Sequence, residues 1–240
     1  MKVAVLGASG ATGRWVVKQL LEQKVHAKVI VRGSAVLERE LMDDENLEII
    51  RGEINALTVQ ELRELLKDCD SVVCCLGHRI NLKGIFGKPR KLVWNAVRKV
   101  TEALASFPIP KKFVLMSTTA YTNFEQDERE SIGEKVIFSL LKILLPPHKD
   151  NVLSVDYLIY TIQKSDKVEW VAVRPDSLID DSIVSAYRVS SSRLRSPIFD
   201  SGRTSRINVA HFILELLRND SSWQKWKYKT PVIYNREQAV

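Results

Sequence analysis

A chain of 240 residues, 45% of them hydrophobic, is long enough to bury a full core and short enough to be one domain, so residues 1–240 are expected to fold as a single unit. It contains no apolar run of about 18 residues, and Met1 and Lys2 lead straight into a core-like strand; the reading is of a soluble, cytoplasmic protein with no membrane insertion and no leader. The formal net charge of +7 is spread along the chain, not packed into one basic run, so a field that draws phosphorylated small molecules accounts for it better than nucleic acid does.

In chain order, short apolar runs alternate with helix-like segments. KVAVLG precedes a helix reaching about Glu22, then come AKVIVR, a polar stretch, LEIIRG, a helix from about Thr58, SVVCCLG, a helix from about Arg90, and KKFVLMS. Aliphatic runs without polar alternation imply strands covered on both faces. The βαβαβα order implies an α/β fold: a single Rossmann-type doubly wound parallel sheet with helices on both faces. Further on, Ile132, Val136, Ile137, Leu140, Leu141 and Leu144 recur at helical spacing up to Pro146-Pro147, which predicts a helix packed over the sheet, with a lid, partner or membrane-surface helix as alternatives. VEWVAVRP and PVIYN predict two more strands, and SSWQKWKYK is expected to be a surface edge.

The stretch GASGATGR puts Gly7, Gly10 and Gly13 between the first strand and the first helix. In such a turn the first glycine permits a tight bend, the second lets backbone approach a pyrophosphate, and the third lets helix pack on strand. Ser9, Ala11, Thr12 and the amides around them would then face phosphates at the positive end of a helix beginning near Ala11. At the end of the second strand, an acid would hold the ribose of NAD and an arginine the extra phosphate of NADP. The sequence there is VIVRGS, with Arg32 19 residues after Gly13 and with Ser34 and Arg14 as co-ligands. The expected cofactor is therefore NADP(H), NADPH being preferred to NADH.

The three cysteines include the adjacent pair Cys74 and Cys75, whose side chains leave opposite faces of a strand and do not easily bridge each other; Cys69 lies just before. Free buried thiols are expected. No CxxC and no Cys/His spacing of the metal-site kind occurs, so no metal is expected.

GASGATG, the arginine after the second strand, RGEI at 51–54, CLG at 75–77, FVLMST and the strand ending in VRP together resemble the atypical short-chain dehydrogenase/reductase superfamily, in its NmrA-like NAD(P)H-binding branch. LGHRINL, WVAVRP, AYRV and SRINVAHFILELL are similar to the flavin reductase group that includes biliverdin reductase B. The resemblance implies that Glu53 and Ile54 line an adenine pocket, that Cys75, Leu76 and Gly77 pass under the cofactor with Arg79 near its phosphates or the substrate, that Ser117 is the active-site serine, and that Arg206 braces a helix start on the substrate side. The substrate region is expected in 120–150 and 175–210.

Most enzymes of this superfamily protonate a developing alkoxide with the tyrosine of a YxxxK pair, whose lysine lowers the phenol pKa. Tyr160 and Lys164 have that spacing, but Lys164 precedes Arg174 by only ten residues, which puts the pair at the wrong end of its helix. The position where the lysine belongs falls near His148 and Lys149, and Leu145 stands where the tyrosine would be. Tyr121, four residues past Ser117, is the other phenol nearby, and its spacing fits poorly. A conjugated acceptor needs no strong phenolic acid, since it delocalises the incoming charge. Ser117 is therefore expected to orient the substrate, Lys149 to hold the nicotinamide ribose, and His148 to supply a proton, the plain alternative for His148 being a surface histidine at a helix start. Two functions fit: an NADPH-dependent reductase of a flavin, quinone or tetrapyrrole type of acceptor, or a non-catalytic NADP(H) sensor acting through a protein partner.

Overall fold

A computed structural model describes residues 1–78, 85, 87 and 89–236 of the chain. The expected alternation is present. Strands β1 (Lys2–Leu6), β2 (His26–Val31), β3 (Leu47–Arg51), β4 (Ser71–Cys74), β5 (Lys111–Met116) and β6 (Val168–Pro175) are joined by helices α1 (Gly13–Glu22), α2 (Arg39–Met42), α3 (Val59–Leu66) and α4 (Leu92–Ala105) and, between β5 and β6, by α5 (Ile132–Leu144) and α6 (Pro146–Asp156). A π-helical stretch, Tyr157–Ile162, extends α6. Beyond β6 come β7 (Ser177–Ile179), β8 (Tyr187–Ser190), β9 (Arg203–Ser205), α7 (Arg206–Arg218), α8 (Asp220–Trp226) and β10 (Val232–Asn235).

The main sheet has eight strands in the order β3-β2-β1-β4-β5-β6-β10-β8, and β7 and β9 form a separate parallel pair. Every pairing from β3 through β10 is parallel; β8 alone runs antiparallel, at the edge. Order reverses between β1 and β4, so the C-terminal ends of these strands open a crevice where doubly wound sheets take ligands.

Strand residues alternate between two cores. Val3, Val5, Val29, Val73 and Val171 pack with α1 and α7 on one face, while Ala4, Leu6, Val72, Phe113 and Leu115 pack with α3 and α4 on the other. This is why β1 and β4 read as unbroken aliphatic runs. Thr58 and Glu61 form a reciprocal capping box that starts α3, and Ser131 and Glu134 do the same for α5.

Two expectations are corrected. On α5 the buried side chains are Glu134 and Phe138, whereas Ile132, Val136, Leu140 and Leu144 are exposed and Ile137 and Leu141 half-buried. The helix lies on α6, not on the sheet. In SSWQKWKYK, Trp223 and Trp226 are buried in the α1/α7 core, and Glu169 of β6 takes both the Trp223 indole N–H and Lys227. That aromatic-lysine interleaving is therefore core packing beneath a solvated lysine fringe.

Candidate functional site

Gly7, Gly10 and Gly13 occupy three different environments. Gly7 has φ +79°, and a Cβ there would lie 2.6 Å from the Cys75 carbonyl oxygen, so the bend after β1 needs glycine both for its torsion and for its closeness to the end of β4. A Cβ on Gly13 would sit 2.1 Å from the Gly7 carbonyl oxygen, a contact between backbones that no rotamer relieves. Gly10 is less confined: its N–H donates to the Gly7 carbonyl at 2.9 Å, and a Cβ would meet that oxygen at 3.1 Å. Thr12 is the buried N-cap of α1, which begins at Gly13, two residues later than expected, and its side chain makes no cap bond. Ser9 and Ala11 are exposed.

Beside this turn, Ala8, Ser9, Arg14, Val36, Leu37, Glu38 and Leu41 line a hollow of about 160 Å³. Arg14 sits 3.8 Å from Glu38, both about half exposed. Arg32 and Ser34 follow β2 and are exposed, and among the described residues the Arg32 guanidinium has no hydrogen bond or ion pair. Glu53 is exposed and Ile54 is buried in the α3/α4 core.

Cys75 is buried after β4, Leu76 is half-buried and Gly77 exposed; Arg79 lies outside the described residues. Cys69, Cys74 and Cys75 are all free and buried, and burial pushes the Cys74 thiol up to about 12. His78 presents Nε2 to the Asp150 carboxylate at 2.8 Å. The same carboxylate, fully buried, accepts the N–H groups of Val93 and Trp94 at 2.8 and 2.9 Å. Asp150 thus caps the first turn of α4 from α6 and ties both to the segment after β4. Sequence reasoning missed it, because a cap supplied from 57 residues away leaves no local pattern.

Ser117, buried just beyond β5, donates its N–H to the Val173 carbonyl at 2.7 Å and its hydroxyl hydrogen to Asn151 Oδ1 at 2.6 Å. Asn151 was also missed, although it lies two residues after Lys149, beside the position where the lysine was expected. With its carbonyl occupied, the Asn151 amide N–H groups are the donors beside Ser117. The two candidates named from sequence lie elsewhere on α6. Lys149 is exposed, and its ammonium makes no hydrogen bond or ion pair among the described residues. The His148 ring stacks on Phe138 of α5, centroids 5.9 Å apart, with Nε2 buried and unpartnered among the described residues. Burial, and then the nearby Lys142 charge, hold its pKa below the ordinary value, so the ring is neutral near pH 7.

A cavity of about 240 Å³ opens between the 120–124 loop, α5 and α6; its wall includes Tyr121, Phe124, Glu130, Phe138, Lys142, Asp156 and Tyr160. Tyr121 donates to Asp156 at 2.9 Å, and burial, then the Asp156 charge, push the phenol pKa upward. A phenol so placed is a poor acid. Tyr160 falls in the π-helical stretch, half exposed, with Lys164 beyond its end. Beneath the loop, Arg174 makes a two-pronged bond to Glu128 at 2.7 and 2.8 Å and also donates to the carbonyls of Tyr121 and Thr230. Arg193 closes on the same carboxylate at 3.3 Å, fastening 121–134 and the 191–202 loop over the end of β6. Arg206 starts α7 and holds Asp180 at 3.1 Å. Among the described residues, no group of three or more His, Cys, Asp or Glu side chains is gathered as metal ligands are.

Residues 7–220 match the family model described as NAD(P)H-binding. The chain therefore belongs to the NAD(P)H-binding family, and its sheet is of the Rossmann type. Among solved structures, a wide-type short-chain dehydrogenase/reductase from Veillonella parvula DSM 2008, in complex with NADP, superposes with TM-score 0.68 at 14% identity, over 98% of this chain and 94% of that one. ChuY, an anaerobillin reductase from Escherichia coli O157:H7, gives 0.69 at 13% identity over 100% of both chains. SP1627 from Streptococcus pneumoniae TIGR4, named as a candidate NADH-flavin reductase, gives 0.68 at 16% identity over 98% and 100%. At such identities the likeness is one of fold.

Proposed function

We propose that the protein is a cytoplasmic, single-domain, NADPH-dependent reductase that passes a hydride to a small conjugated acceptor of the flavin, quinone or tetrapyrrole type. Bound NADPH would supply the hydride, two electrons with one proton, and become NADP⁺, while water would supply the second proton that the reduced acceptor takes up. The observation that carries this reading is the Ser117–Asn151 pair, a hydroxyl and an amide, while Leu145 stands where a carbonyl reductase would place its acidic phenol and the Tyr121 phenol is held by Asp156. Such a pair orients an acceptor without delivering a strong acid. ChuY and SP1627 make reductases of this acceptor class a natural use of the fold.

In this reading Gly7, Ser9, Gly10, Ala11, Thr12 and Gly13 hold the pyrophosphate, Arg32, Ser34 and Arg14 the 2′-phosphate, and Glu53 and Ile54 the adenine. Cys75 to Gly77 pass beneath the nicotinamide half. The acceptor lies over Ser117 against 120–150 and 175–210. Lys149 is on the exposed side of α6 and His148 is stacked on Phe138 as a neutral ring, so neither shares in the Ser117–Asn151 bond.

The test is Ser117→Ala and Asn151→Ala measured side by side. Turnover should fall roughly 10- to 100-fold in each while NADPH binding stays within about threefold. Unchanged turnover removes both residues from the mechanism. A second reading, a sensor that binds NADP(H) without consuming it and signals to a protein partner, is favoured by the Tyr121 phenol being held by Asp156 and by the exposed face of α5.

A further inference from the structure

Ile132, Val136, Leu140, Ile143 and Leu144 of α5 are 84, 56, 50, 77 and 60% exposed. At about 100° per residue they fall within one arc of roughly 120°. Phe199, 63% exposed, extends the patch from the 191–202 loop: a Cβ on Gly133 would lie 2.8 Å from its ring. A continuous apolar face of this kind marks a surface that meets something.

Charge decides what it meets. The one acid of α5, Glu134, is buried and accepts the Ser196 hydroxyl and the Ser131 N–H. Lys135 and Lys142 are exposed along one flank, and neither ammonium makes an ion pair or hydrogen bond among the described residues. Arg129, ahead of the helix, and Lys149, after it, are also exposed, whereas Glu130 accepts the Thr122 hydroxyl. The exposed charge on α5 is thus wholly positive. Two copies meeting face to face through α5 would set lysine flanks together with no free carboxylate on the helix to answer them. An anionic surface answers them directly, and the net charge of +7 adds attraction at longer range.

We propose that α5 docks the protein on an anionic lipid surface, lying in the interface plane with its apolar arc among the acyl chains and its lysines at the headgroups. A helix of 13 residues is about 20 Å long, too short to cross the roughly 30 Å hydrocarbon core, and its one-sided pattern is that of an interfacial helix. Docking stands apart from catalysis and does not depend on the reductase reading.

The experiment is co-sedimentation of the full-length protein with vesicles of phosphatidylcholine alone and of phosphatidylcholine mixed with phosphatidylglycerol, with far-UV circular dichroism confirming each variant is folded. The mixed vesicles should retain the protein and the neutral ones should not. Leu140→Ser/Ile143→Ser and Lys135→Glu/Lys142→Glu should each weaken retention roughly tenfold, and added salt should weaken it further. The charge variant leaves the apolar face intact, so it decides the matter should the first variant misfold. Absence of binding to either vesicle, or binding that neither variant alters, overturns the proposal. So does a dimer in sedimentation velocity that Leu140→Ser/Ile143→Ser dissociates while wild type ignores vesicles; the face would then be an interface between copies.

Discussion

The hydroxyl of Ser117 donates to the side-chain carbonyl of Asn151 at 2.6 Å, joining the C-terminal end of β5 to the first turns of α6, at the same end of the parallel strands as the Gly7–Gly13 turn. Residues on α6 are spaced by about 100°, so the side chain that faces Ser117 also fixes where its neighbours go. Asp150 turns toward α4, His148 toward α5 and Lys149 toward solvent. Turnover should therefore be far more sensitive to Asn151→Ala than to Lys149→Ala, the latter staying within about threefold of wild type. Steady-state kinetics of the two variants decides between amide and lysine.

Gly13→Ala and Gly10→Ala should separate folding from binding. The first drives a Cβ to 2.1 Å from a backbone oxygen and is expected to cost about 3 kcal/mol or more, read as a fall in the urea midpoint. The second adds a 3.1 Å contact that a small shift absorbs, so the protein should fold normally and lose affinity for NADPH as the phosphate approach is obstructed.

Arg32→Asp should weaken NADPH binding roughly 10- to 100-fold, the loss of one charge-assisted contact of about 1.5–3 kcal/mol, and leave NADH binding nearly unchanged. Titration of both nucleotides measures this. Equal losses would mean that Arg32 does not read the 2′-phosphate.

Acid should destabilise the protein in two separable windows. His148 is held below its ordinary value of 6.5, so the unfolded state binds the proton more readily and stability falls as pH drops below about 6.5. Burial alone would raise the Glu128 carboxyl, but its bonds to Arg174 outweigh that and hold it below the ordinary 4.5. Its contribution is present above that value and lost as pH falls through the lower folded pKa. His148→Phe should flatten the upper window, and Glu128→Gln should shrink the lower one while costing about 3 kcal/mol at neutral pH. Urea titrations across pH 3–8 in roughly half-unit steps test both.

The parallel sheet was legible because its strands are aliphatic on both faces and its turns carry glycines for steric reasons that one residue type satisfies. Short strands such as β7 and β9, three residues each, hold no periodicity and went unforeseen. For α5, a stripe of leucines and isoleucines declares amphipathicity but not which side is covered, and burial went to Glu134 and Phe138. The tryptophans of α8 were misjudged for the converse reason, since alternating lysines resemble a surface while the rings turn inward. At the site, the segment was found and the residue missed: the catalytic position was expected near His148 and Lys149, but which side chain faces Ser117 depends on where α6 begins, at Pro146, and on how it rolls against α4 and α5. Asp150, bonded to backbone of α4, fixes that roll from a distance sequence does not record.

The most direct measurement is NADPH oxidation by the purified protein against free flavin, quinone and linear tetrapyrrole acceptors, with NADH in parallel and nucleotide binding measured on the same sample. Turnover of at least one acceptor is expected, faster with NADPH than with NADH. Tight NADPH binding with no oxidation of any acceptor would contradict the reductase reading and leave the sensor reading in its place.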